Sequence, residues 1–148
     1  MRFVWLFSVG LSFLLLSACD EGTTGQSVVV YKSPTCGCCD EWITHMSDAG
    51  FSVTAIDSDD MMSIKEKHGV SGKNASCHTA IVDGYIIEGH VPASDVKRLF
   101  KEKPAIAGLT APGMPMHSPG MQDKGLPPKG YDVLAFDKHG NSTVFQSY

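Results

Sequence analysis

The sequence predicts one α/β domain, a βαβ unit extended by an antiparallel β-hairpin, and three observations predict it. A length of 148 residues with 43% hydrophobic content is enough for one ordinary core. Short runs of β-branched and aromatic residues alternate with runs of helical spacing. Between two of the apolar runs lies Asp83-Gly84, the strongest short-range hairpin signal, because a type I′ turn requires positive φ at both central positions.

Residues 28–31 are β-branched and aromatic and form the first strand, which Ser33-Pro34-Thr35 breaks. Helical spacing follows: Trp42, Ile43, Met46 and Ala49 share one apolar face and Gly50 stops it. Residues 51–56 read as the second strand. Asp59 or Asp60 caps a short helix through Met61, Ile64 and Lys65 that ends at His68-Gly69. Residues 79–82 and 85–88 are the hairpin strands. Ser94 or Asp95 opens a helix carrying Val96, Leu99 and Phe100, closed before Pro104. The order β-α-β-α-β-β-α is that of a thioredoxin-like fold. Residues 108–130 shift to Pro, Gly and Met without periodicity, a loop long enough to expect function of it. A last hairpin, within 131–148, turns at residues 137–141 and packs that loop back onto the domain.

The first residues read differently. Arg2 gives a short positive start, residues 3–16 are an almost unbroken apolar run, and Ser17 and Ala18 are small. This is an export signal over 1–18, shorter than the roughly 20 apolar residues of a spanning helix. Leu16-Ser17-Ala18-Cys19 resembles the bacterial lipobox, so Cys19 is the expected lipidation site. Asp20 resembles the signal that retains lipoproteins on the inner membrane. The plainer alternative is a secretory signal beside an incidental Cys19. The expected location is the periplasmic side of the inner membrane of a Gram-negative bacterium, with 19–27 as a polar tether and 28–148 as the domain. Without Arg2, 11 Lys and Arg face 16 Asp and Glu, a net charge of −5. This mildly acidic, unclustered balance offers no footprint for nucleic acid.

Setting Cys19 aside leaves four of the five cysteines: Cys36, Cys38, Cys39 and Cys77. The first three fall where a strand ends and a helix begins, so backbone N–H groups and the helix dipole favour their thiolates. Cys36 and Cys39 have the CxxC spacing of thiol-disulfide exchange, with Cys36 as the more exposed nucleophile. Cys36-Gly37-Cys38 adds a CxC spacing suited to chelating or bridging metal ions. Structural disulfides are the third alternative in an oxidising compartment, made awkward by adjacent Cys38 and Cys39. The segment 76–84 resembles the glutaredoxin stretch that leads into the third strand. That resemblance puts Cys77 just before the cis-proline position and His78 in it, facing the CxxC. With no proline there, a trans peptide is expected, since a cis bond would cost about 3 kcal/mol.

Met114, Met116, His117 and Met121 occur on the Pro- and Gly-rich loop. Thioether and thiolate are soft donors that select Cu(I). Methionine as a core filler suits Met46, Met61 and Met62 on helices better than these. Among the histidines, His78 is a candidate ligand beside Cys77. His45 and His68 read as exposed helix positions, His139 as a turn residue, and His90 as a cap of the last helix.

With the CxCC, Ser-Cys-His-Thr, Val-Asp-Gly-Tyr, Glu-Gly-His-Val-Pro-Ala and Gly-Met-Pro-Met-x-Ser-Pro-Gly-Met segments in view, residues 28–145 resemble the CopG-type copper-resistance proteins, a periplasmic family with a thioredoxin-like fold. The resemblance implies copper held by Cys36, Cys38, Cys39 and Cys77, as a multinuclear Cu(I) cluster with the methionine loop beside it, and interconversion of Cu(I) and Cu(II). His117 stands where the family often has glycine. The competing expectations are a thiol-disulfide oxidoreductase using Cys36 and Cys39, and a chaperone passing copper to an efflux pump or an oxidase.

Overall fold

The computed structural model describes residues 25–148; the expected signal, Cys19 and most of the tether lie outside them. Eleven elements follow in the order β1 (Ser27–Lys32), α1 (Gly37–Asp48), β2 (Ser52–Asp57), α2 (Met61–Lys67), a 3-10 turn (Gly72–Asn74), β3 (Thr79–Val82), β4 (Tyr85–Gly89), α3 (Ala93–Glu102), β5 (Gly108–Ala111), β6 (Asp132–Phe136) and β7 (Ser142–Ser147).

One seven-stranded sheet runs β2-β1-β3-β4-β5-β6-β7. β1 and β2 are parallel through the α1 crossover, β3 is antiparallel to β1, and β3 and β4 form the expected hairpin. Asp83 and Gly84 have φ of 49° and 81°, the positive values of the I′ turn. This is the thioredoxin-like α/β arrangement, extended on the β4 side by three strands. No helix among the described residues is long and apolar enough to cross a membrane.

The core lies on one face of the sheet. Val28 and Val30 of β1, Ala80 and Val82 of β3, Ile87 of β4 and Leu109 of β5 pack against Trp42 and Met46 of α1 and Val96 and Leu99 of α3. Trp42 meets its one polar requirement by donating its indole N–H to the Val91 carbonyl at 2.8 Å. A smaller cluster of Val70, Ile86 and Phe136 occupies the opposite face. There Lys65 of α2 reaches a buried ion pair with Glu88, and the Thr79 hydroxyl donates to the other Glu88 oxygen at 2.7 Å.

Four expectations are corrected. The segment expected to be loop over 108–130 begins as strand β5, paired between β4 and β6; all four of its residues are buried, so it has no alternation to read. Helix α3 begins at Ala93 after Pro92, and neither Ser94 nor Asp95 caps it; Asp95 is buried and accepts from the Tyr148 hydroxyl at 2.9 Å. His45 is half-buried, its Nε2 accepting the Ala93 N–H at 3.0 Å and supplying the partner that Pro92 cannot. Met62 is 77% exposed rather than a core filler.

Candidate metal centre

β1 delivers the chain to the turn Ser33-Pro34-Thr35, which closes when Cys36 N–H donates to the Ser33 carbonyl at 3.1 Å. Cys36 is the N-cap residue of α1, and the Cys39 N–H returns to its carbonyl at 3.2 Å. Cys36, Cys38 and Cys39 are therefore held within the first turn of one helix. Cys36 and Cys39 are joined as a disulfide, while Cys38 is a free thiol with its Sγ 3.6 Å from that of Cys36.

Cys77 arrives at the start of β3, the strand beside β1, where Thr79 pairs with Tyr31. It lies between the 3-10 turn and β3, and the preceding residue is fixed from below: Ser76 N–H donates to a Glu88 carboxylate oxygen at 2.7 Å. The Cys77 Sγ lies within 4.8 Å of the other three sulfurs, so the four form one cluster able to hold a metal ion. Burial, reinforced by the neighbouring Cys38 thiol, pushes the Cys77 thiol up to about 12. A buried thiol of this kind keeps its proton until a cation replaces it.

Two imidazoles extend the cluster. His90 is fully buried, with Nδ1 2.6 Å from the Pro119 carbonyl and Nε2 3.0 Å from Cys77 Sγ. A carbonyl only accepts, so the hydrogen bond assigns the proton to Nδ1 and leaves the Nε2 lone pair facing the thiol. A ring nitrogen oriented by a backbone carbonyl on its other side is the arrangement that metal-binding histidines use. His78 is also fully buried. Its Nδ1 is 3.3 Å from Cys77 Sγ and its Nε2 has no hydrogen-bond partner among the described residues. Its ring packs against Trp42 and His90, at centroid separations of 4.4 and 5.1 Å. Burial holds both imidazoles below their ordinary range, His78 well below, so they are neutral donors. Cys77, His78 and His90 thus make a second group of converging donor atoms that shares Cys77 with the first.

The loop after β5 is fixed to this centre by backbone. Gly120 has φ of 86°, and a Cβ there would sit 2.8 Å from the Cys38 carbonyl oxygen and 3.1 Å from His90 Nδ1. Only glycine allows the loop to approach the first turn of α1 so closely. Met121 follows directly and is half-buried. Met114, Met116 and His117 are exposed, the first two by 45% and 69%. The structure therefore brings Cys36, Cys38, Cys39, Cys77 and His78 together, leaves Met121 half-buried beside Gly120, and leaves Met114, Met116 and His117 exposed.

His90 was expected only to cap a helix and is instead part of the centre. Its signal was present: the Asp83-Gly84 turn fixes a register pairing Thr79 with Glu88, and two residues further Cys77 faces His90. The Cys77–His78 peptide is not cis, as expected without a proline.

A family profile described as "Protein of unknown function, DUF411" matches residues 74–121, which contain Cys77, both buried histidines and the methionine loop. No match was found among curated proteins. Two solved structures, Form 1 and Form 2 of "Copper resistance protein copG", are each 38% identical to this chain, with a TM-score of 0.76, covering 84% of this chain and 98% of theirs. With that identity over nearly the whole of the solved protein, and the cysteine cluster at the head of α1, the chain belongs to the CopG family of copper resistance proteins.

Proposed function

We propose that the chain is a periplasm-facing, lipid-anchored copper-binding protein of copper resistance, holding more than one Cu(I) through Cys36, Cys38, Cys39 and Cys77. The observation that carries this reading is the convergence of four sulfurs and the His90 Nε2 from three separate segments, the head of α1, the stretch before β3 and the stretch after β4. Thiolate is the softest donor a protein offers, and imidazole is also acceptable to copper, whereas hard cations prefer oxygen. Four thiolates in so small a volume repel one another, and several monovalent cations bridged by sulfur would balance that charge. Met121 is the thioether best placed to join them; Met114, Met116 and His117 act from outside. His78 completes the Cys77 side. Cys19 supplies the lipid anchor and Asp20 the inner-membrane retention.

The disulfide makes redox state part of the account. Two electrons and two protons convert the Cys36–Cys39 bond to two thiols, and each loses its proton when it takes a metal. In the reverse sense, two Cu(II) and the thiolates of Cys36 and Cys39 yield two Cu(I) and the disulfide, which balances electrons and charge. Interconversion of Cu(I) and Cu(II) follows from the same two residues.

The test is anaerobic Cu(I) titration of fully reduced protein, read by thiolate-to-copper absorption. More than one ion per chain is expected, with both stoichiometry and affinity falling in Cys77→Ser. An unchanged titration in that variant contradicts the four-thiol site. The same disulfide favours a second reading, a thiol-disulfide oxidoreductase using Cys36 and Cys39. Catalytic turnover of a model disulfide by copper-free protein would establish it.

A further inference from the structure

The two ends of β1 differ in chemistry. At the start of the described chain, the entry end, a Cβ on Gly25 would overlap the Gly50 carbonyl oxygen, and Ser52 N–H donates to the Gln26 carbonyl at 3.0 Å. β1 then runs six residues, about 20 Å, before the chain reaches Cys36. α1 starts at that far end and returns to the entry point, and α3 returns likewise, since Phe100 packs on Phe51 with centroids 6.2 Å apart. Gly25 and the cysteine cluster are thus at opposite ends of β1.

Charge follows the same axis. At the cysteine end Asp40, Glu41, Asp57, Asp59 and Asp60 are exposed, with the buried Lys32 bridging only Asp40 and Asp57, at 3.1 and 3.0 Å. At the entry end α3 presents Lys97 and Lys101, and Lys103 ends it, all exposed; the exposed acids at that end are Glu102, Asp83 in the β3–β4 turn, and Asp48, which pairs with Lys124 at 2.6 Å. Beside Lys97 opens a groove of about 550 Å³ lined also by Gly25, Gln26, Phe51 and Phe100, with the Lys97 Nζ 6.0 Å above the Phe51 ring. Only five residues separate Cys19 from Gly25, a span of at most about 20 Å over the six peptide links.

We propose that this face, the half-buried Phe100 flanked by Lys97, Lys101 and Lys103, rests on the anionic phospholipid headgroups of the bilayer, so that the copper centre points away from the membrane. The inference rests on the acylated Cys19 proposed above. A short tether keeps the lysines within reach of the surface, where each adds attraction that salt screens over roughly 8 Å, and a basic patch is the usual second element of a lipid anchor. The acidic end is held off by the same field. Copper then reaches the centre from the aqueous side.

The full lipidated chain in vesicles of phosphatidylethanolamine and phosphatidylglycerol, 3:1, tests this with a photo-crosslinking residue at one of two places. Phe100→benzoylphenylalanine is expected to give at least tenfold more lipid adduct than Asp59→benzoylphenylalanine. Adding Lys97→Glu and Lys101→Glu should lower the Phe100 yield at least threefold. Equal yields from the two positions overturn the orientation, as do Phe100 adducts chiefly to residues 19–24 or to a second copy of the chain. The mass of the N-terminal peptide separates the two claims: without the acyl mass the anchor and the orientation fall together, whereas an acylated chain with equal yields overturns the orientation alone.

Discussion

At the scale of single residues, Cys77 carries the most weight, because it is shared by the thiol group and the imidazole group. Burial pushes its thiol up to about 12, so near neutral pH the empty site holds the proton and the loaded one does not. Metal binding therefore releases protons, and apparent Cu(I) affinity should rise with pH, by about tenfold per pH unit for each proton released. Competition with a Cu(I) chelator at pH 6, 7 and 8 checks it; a flat profile would mean that the thiols are already deprotonated. His90→Asn should weaken Cu(I) binding by at least the roughly 10–100-fold typical of a disturbed metal site, with the far-ultraviolet circular dichroism unchanged. The cysteines were readable from sequence because three of them crowd one helix start. His90 was missed because a histidine just before a helix looks like a cap until the hairpin register is extended past its last paired residues.

At the scale of elements, the centre is a meeting of α1, the β3–β4 hairpin and the loop after β5. The loop's contact is the narrowest: Gly120→Ala would drive a Cβ into the Cys38 carbonyl and the Trp42 N–H, each 2.8 Å away, at a φ of 86°. The cost is about 1–3 kcal/mol, and displacement of the loop should lower copper affinity more than it lowers thermal stability; equal wild-type affinity would detach the loop from the site. Under the hairpin, Glu88 holds both Lys65 and the Ser76 N–H. Glu88→Ala leaves a buried ammonium unpaired and should cost about 3–5 kcal/mol by urea denaturation, while removing the hydrogen bond that sets the backbone before Cys77. Helices α1 and α2 and both hairpins were readable, since turn residues and periodicity mark them. Strand β5 was not, because Gly-Leu-Thr-Ala buried on both faces has neither alternation nor length.

At the scale of the whole molecule, the thioredoxin-like class followed from element order alone, and the sheet order agrees with it. What order could not supply was the convergence across the fold: Cys77 lies 38 residues beyond Cys39, and only the pairing of β3 with β1 places it opposite the head of α1. The whole-molecule state also matters, because a closed Cys36–Cys39 disulfide withholds two of the four sulfurs. Oxidised protein should bind markedly less Cu(I) than reduced protein, by equilibrium dialysis under nitrogen, and equal loading would place the metal elsewhere. The most direct measurement is metal analysis of anaerobically purified, fully reduced protein, with ligands read from copper and sulfur absorption edges. The account predicts more than one copper per chain in a sulfur-dominated shell. Copper in a shell of nitrogen and oxygen alone, or a single ion retained when Cys36, Cys38, Cys39 and Cys77 are all replaced by Ser, would contradict it.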